Sequence, residues 1–170
     1  MSNDLKLIAN DLKSSQSIFL QEKTRLENLL QNFAVQVEHI GSTSVPHTIG
    51  KGIIDILLLC ANEKDQEQIR DVLAVSGYRQ GELNKNPDGR LFFYNSDGQT
   101  QAGDIHLHLV LKDSSNLQSI SLRDYLLTHL DEVEHYNQEK IRLAQSTNND
   151  RHEYVRQKET FIKYLMSKIS

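Results

Sequence analysis

Asp55 is where a chemical reading of this chain begins. It stands inside the apolar run from Gly52 to Leu59, G-I-I-D-I-L-L-L. A carboxylate buried there without a partner costs on the order of a few kcal/mol. A metal ion, a cation, a hydrogen-bond network or exposure at a sheet edge must therefore compensate it. A second group lies in G-D-I-H-L-H-L-V-L, Gly103 to Leu111. At a period of two, Asp104, His106 and His108 share one face of a strand, and Ile105, Leu107 and Leu109 share the other. Two imidazoles at i and i+2 can ligate a metal or hold phosphate as imidazolium; the bland alternative is a solvated sheet face. A third group is Gly41-Ser42, which follows a strand ending near Ile40. Glycine lets the chain turn sharply there, and turn amides with a serine hydroxyl can cradle phosphate. His39 ends that strand beside the turn, and Lys51 offers an ammonium in the following loop. Arg90, Arg123 and Lys158 are further cations that could line a cleft.

Metal-assisted phosphoryl or nucleotidyl transfer calls for hard oxygen ligands, commonly two carboxylates at i and i+2 with a third from a neighbouring strand. Here Asp55 is followed at i+2 by Leu57, which argues against a conventional two-metal centre. Ser42 lacks a G-x-S-x-G elbow, so Ser-His-Asp hydrolysis is discounted. Val110 occupies the third position of an H-x-H-x-H strand, which removes the nucleophile of a histidine-based hydrolase. Cys60 is the single cysteine; it allows no intramolecular disulfide, and its apolar neighbours make it a buried, inert thiol.

The elements that position these residues follow from periodicity. Leu5, Ile8, Leu12, Phe19, Leu26 and Leu29-Leu30 suit an amphipathic helix over 4–31, broken near Ser14-Ser15. Strands are expected over Phe33–Ile40, Gly52–Leu59, from Tyr78, over Leu91–Tyr94 and over Gly103–Leu111. A helix is expected from Asn62 to Ser76, stopped by Gly77. Residues 81–90, with P-D-G, and the later N-S-D-G read as turns. Helices are expected over 116–129, 131–146 and 150–168, with Asn149 or Asp150 as a cap for the last. The 170 residues, 38% hydrophobic and 25% charged, describe one ordinary domain. A net charge of -4 gives no general pull toward nucleic acid or anionic membrane. No secretory signal or membrane-spanning run is visible, so the expected location is cytoplasmic, with neither membrane nor nucleic acid as partner.

H-I-G-S-T-S-V-P at His39 to Pro46, followed by K-G-I-I-D-I at Lys51 to Ile56, resembles the GrpB family, whose usual core is H-I-G-S-T-S-V-P-G-L-x-x-K-P-I-I-D-I. H-L-H-L-V at His106 to Val110, L-R-D-Y-L at Leu122 to Leu126, the Tyr136-to-Lys140 spacing and K-x-x-F-I at Lys158 to Ile162 extend the resemblance over nearly the whole chain. It implies an α+β, nucleotidyltransferase-like fold: a mixed β-sheet flanked by helices, with a helical C-terminal part. It also implies a small-molecule nucleotide or phosphorylated metabolite as ligand. Metal-dependent nucleotidyl or phosphoryl transfer is the first expectation, and a non-catalytic binding module the alternative. Gly41 and Ser42, with Lys51 and His39, would hold phosphate. Asp55, Asp104 and His106 would hold a divalent metal, Mg²⁺ or Mn²⁺ before Zn²⁺, and Asp55, His106 and His108 would act in catalysis. The chain departs from the family at His47-Thr48, in place of Gly-Leu, and at Gly52, in place of proline, so the loop conformation is open.

Overall fold

A computed structural model describes residues 5–81, 89–96, 102–113 and 117–169. The strands among the described residues are, in order, β1 (Ile8–Ala9), β2 (Gln36–Ile40), β3 (Ile49–Gly50), β4 (Ile54–Cys60), β5 (Arg79–Gln80), β6 (Leu91–Tyr94) and β7 (Ile105–Leu111). The helices are α1 (Leu12–Leu29), α2 (Glu63–Val75), α3 (Gln118–Thr128), α4 (Leu130–Ser146) and α5 (Arg151–Ile169). The main sheet runs β2-β4-β7-β6-β5. β4 and β7 pair in parallel, and the other neighbours pair antiparallel. This is the expected mixed sheet with a helical C-terminal part.

One face of the sheet is dry. Val37, Ile54, Ile56, Leu58, Ile105, Leu107, Leu109 and Phe93 pack there against Leu26 and Leu30 at the end of α1 and against Ile69 and Leu73 of α2. The other face divides in two. Its β2-side half, with Ile40, Leu57, Leu59 and Val110, is covered by Ile120 of α3. The half nearer β6 carries Asp55, His106 and His108 and is partly open.

The N-terminal segment differs from the expected helix. Leu5, Ile8 and Leu12 have helical spacing, but Ile8 and Ala9 pair with Gly50 and Ile49 in a two-stranded ribbon. The helix starts later because Asp11 caps it, accepting from Ser14 N at 3.1 Å. The strand expected from Phe33 begins at Gln36, and that expected from Gly52 begins at Ile54. Pro87 and Asp88 of the P-D-G turn and Asp97 and Gly98 of N-S-D-G lie outside the described residues.

The loop that departs from the family pattern keeps a glycine-like shape. His47 has φ +60 where the family has glycine, and Gly52 has φ +74, which proline cannot adopt. Thr48 Oγ1 donates to the carbonyls of Ser42 and Val45, and Asn137 Nδ2 of α4 donates to His47 O at 2.8 Å. An exposed histidine held in the left-handed region carries a backbone cost of about 1–2 kcal/mol, against about 0.5–1 kcal/mol of extra chain entropy for glycine. His47→Gly should therefore stabilise the fold by about 0.5–1 kcal/mol in urea denaturation. A clear loss of stability would contradict this account of the loop.

Candidate functional site

The site forms where β2 hands the chain to the Gly41–Ser44 turn, directly against β4. Ile40 is registered with Asp55, so the next residue must pass over the carboxylate. Gly41 does so at φ +73, and a Cβ there would lie 2.5 Å from Asp55 Oδ2. Only glycine satisfies both the conformation and the space. A short 3₁₀ turn, Ser42–Ser44, follows. It is braced by Asn10, whose Nδ2 donates to Val45 O at 2.9 Å and Thr43 O at 3.2 Å.

Gly50 places a second gap beside the first. A Cβ on Gly50 would collide with Ser42 Oγ and lie 3.9 Å from Lys140 Nζ, so the serine hydroxyl and this ammonium approach the same point. Lys140 is buried on α4, donates to Ile49 O and sits 4.6 Å from the centre of the Tyr136 ring. Asn137, one turn earlier, accepts from Ile49 N at 2.9 Å. Burial, then the charge of Lys158, draws the Lys140 pKa well below that of a free lysine; Lys51 adds to this and Asp55 opposes it. Lys158 and Lys51 are thus close enough to Lys140 for their charges to act on it. Sequence reading placed Lys51 in the loop, and named Lys158 as one of several cations and as the start of K-x-x-F-I. It noted Lys140 only for its spacing from Tyr136. The signal available was Asn137-x-x-Lys140, two polar residues one helical turn apart on the face that carries Val133 and Tyr136.

Across the sheet, Asp55 is paired with His106 and Leu57 with His108. Asp55 Oδ1 lies 3.6 Å from His106 Nδ1 and 3.7 Å from His108 Nε2, longer than hydrogen bonds but close enough for strong electrostatic attraction. The Asp55 side chain is 28% exposed. Burial works to raise its pKa, but the two imidazoles outweigh it and hold the carboxyl well below the usual carboxylate range. Burial lowers the pKa of His108, against the pull of Asp55. Its Nδ1 is buried without a hydrogen-bond partner, which suits a neutral ring with its proton on Nε2, toward Asp55. The rings of Phe92 and His106 meet edge-on at 4.9 Å, and Phe92 lies 5.4 Å from His108.

His39 is not brought to this site. It is registered with Ile56, which turns it to the dry face, where it stacks on Phe19 at 4.5 Å. The signal in the sequence was its spacing of two residues from Val37, which puts both on one face of the strand. Thr43 Oγ1 donates to Ile53 O at 2.9 Å, leaving His39 Nε2–H to donate to Thr43 at 3.1 Å. His39 thus supports the turn from behind. Arg123 likewise braces structure, bonding Glu38 at 2.7 Å and His39 O at 2.9 Å.

The expected metal set is not assembled. Among the described residues no group of three or more His, Cys, Asp or Glu side chains is placed to hold a metal ion. Asp104 precedes β7 and is buried, and Leu57, in the second-carboxylate position, is spent on packing under α3. One carboxylate and two imidazoles do not fit Mg²⁺, which asks for oxygen ligands.

A profile of the GrpB protein family matches residues 8–168. The chain belongs to the GrpB family. A UPF0157 protein of Halalkalibacterium halodurans is 31% identical over 152 residues, 89% of this chain and 75% of that relative. The crystal structure of the conserved protein GrpB from Enterococcus faecalis superposes with a TM-score of 0.81 at 24% identity, covering 96% of both chains. The Cid1 poly(U) polymerase structure matches with a TM-score of 0.50 at 12% identity, covering 73% of this chain and 37% of that one. The GrpB fold here is therefore nucleotidyltransferase-like. No helix among the described residues is long and apolar enough to cross a membrane.

Burial pulls the His39 pKa down to about 4, although Asp55 works to raise it. The folded ring is thus neutral where the unfolded one, at 6.5, already takes up a proton. Its contribution is complete above pH 6.5 and is lost as pH falls toward 4, by on the order of 3 kcal/mol. His39→Gln should flatten the decline of urea stability across that window; an unchanged slope would contradict the assignment.

Proposed function

We propose that this GrpB-family protein binds a nucleotide or another phosphorylated small molecule at the Gly41–Ser42 turn. We further propose that Asp55, His106 and His108 serve nucleotidyl or phosphoryl transfer from that ligand to a small molecule. The observation that carries this reading is how closely the turn passes the carboxylate: a Cβ added to Gly41 would lie 2.5 Å from Asp55 Oδ2. It supports a phosphate cradle set directly against the reactive residue. Turn amides, Ser42 Oγ and Lys140 supply donors, and Lys51 and Lys158 add positive charge. His106, with Nδ1 turned to Asp55, keeps Nε2 for chemistry. In this arrangement a carboxylate orients an imidazole that takes the proton of an attacking hydroxyl. As that oxygen bonds to phosphorus, the bond to the leaving phosphate breaks and its negative charge passes to the lysine side. Divalent cations enter this reading only as ions that a nucleotide brings with it. A second reading, binding without turnover, is favoured by Leu57 in the place of a second carboxylate.

Thermal unfolding with nucleoside triphosphates and with tripolyphosphate, each in Mg²⁺, Mn²⁺, Zn²⁺ or EDTA, tests the proposal. A ligand at a hundred times its dissociation constant adds about 2.7 kcal/mol. We expect a shift that survives EDTA and is lost in Lys140→Met, with the unliganded variant within about 1 kcal/mol of wild type, because loss of the bond to Ile49 O is offset by removal of a buried ammonium. A shift that requires metal would instead give the phosphate-neutralising role to a cation. Asp55→Asn should retain binding and lower phosphate or pyrophosphate release by about 10²–10⁴-fold. Absence of release in the wild type would favour the binding module.

A further inference from the structure

Phe92, Phe93 and Tyr94 are three consecutive aromatic residues on β6, and the sheet divides them. Phe93 is fully buried in the dry core. Phe92 and Tyr94 point to the opposite face, are only half-buried, and belong to none of the apolar clusters formed by the described residues. Their rings stack at 5.9 Å, and Phe92 touches both site histidines. Gly81 secures this position: a Cβ there would lie 2.5 Å from Phe92 Cδ1. Its conformation is not left-handed, so here the glycine supplies space for the ring.

Register turns these contacts into a line. Ile40, directly before Gly41, pairs with Asp55; Asp55 pairs with His106; His106 pairs with Tyr94. One row across the sheet therefore starts at the glycine–serine turn, crosses the carboxylate and an imidazole, and ends on an aromatic shelf. From β4 to β6 is two strand spacings, about 10 Å, within reach of a ribose carrying 5′-phosphates. A ligand anchored by phosphate at Gly41–Ser42 and extended along this row would lay its other end on Phe92 and Tyr94. Flat π-faces accept a base of any identity, because stacking does not depend on the base edge.

We infer that Phe92 and Tyr94 form the base-stacking subsite of the ligand whose phosphates occupy the Gly41–Ser42 turn, so that the ligand is a nucleotide rather than a phosphorylated metabolite without an aromatic ring. This rests on the phosphate-binding reading of the turn. The test compares ATP with tripolyphosphate by calorimetric titration on wild-type protein, Phe92→Ala, Tyr94→Ala and Phe92→Tyr. Wild-type protein should bind ATP more tightly than tripolyphosphate. Phe92→Ala and Tyr94→Ala should each weaken ATP by about tenfold or more and leave tripolyphosphate within about twofold, while Phe92→Tyr keeps both. Unchanged tripolyphosphate binding also reports that the variants are folded. Equal weakening of both ligands would overturn the subsite and make the shelf structural. Wild-type binding of tripolyphosphate with no gain for ATP would overturn the subsite alone. Failure of both ligands on wild-type protein would overturn the phosphate reading and the subsite with it.

Discussion

The approach of the Gly41 backbone to the Asp55 carboxylate is the constraint on which the site depends. It follows from antiparallel pairing of β2 with β4, which registers Ile40 on Asp55 and leaves the next residue no room for a side chain. The rest of the turn is arranged to hold that approach. Asn10 grips the carbonyls of Ser42, Thr43 and Val45, His39 props the turn through Thr43 from the dry face, and Asn137 and Lys140 fix the returning strand through the backbone of Ile49. Asn10, at the N-terminal side of α1, and α4, far along the chain, thus converge on one short loop. That convergence explains why the C-terminal helices matter to a site built on the sheet.

Charge is distributed in a directed way around this contact. Lys140 lies by Ser42 and Gly50, the Asp55 carboxylate lies against Gly41, and imidazoles and aromatic rings occupy the β7 and β6 side. Lys140 is held by one carbonyl and one aromatic face, with no carboxylate of the described residues bonded to it. Such an ammonium is uncomfortable in the unliganded protein, and an arriving anion would relieve it. Asp55, by contrast, is already compensated by two imidazoles. The compensation that an acid in an apolar strand demanded is therefore found within the protein.

Much of this was legible before any coordinates. The alternation in Ile105 to Leu111 separates the two histidines from Ile105, Leu107 and Leu109, and the apolar run around Asp55 marks a strand; both stand as read. What periodicity cannot supply is register. That Asp55 lies beside His106 rather than Asp104, and that Leu57 is buried under α3, depends on which strands pair and how far they slide. Lys140 was hidden for another reason: on a helix with mixed charges a lysine ordinarily faces water, and only the packing of α4 on the loop buries this one. The false start of α1 has a local cause, because Asn10 and Asp11 compete for turn and cap geometry where apolar spacing alone continues a helix.

The most direct test of the central claim is an amide-resolved NMR titration of the wild-type chain with pyrophosphate. Binding at the turn predicts the largest shifts at the backbone amides of Gly41, Ser42, Thr43 and Gly50, with smaller ones at His106 and His108. A separate groove of about 490 Å³ between α4 and α5, lined by Arg142 and Arg156 among others, offers an anion a competing destination. Shifts confined to Arg142, Arg156 and their neighbours, with Gly41 and Ser42 unmoved, would contradict the account.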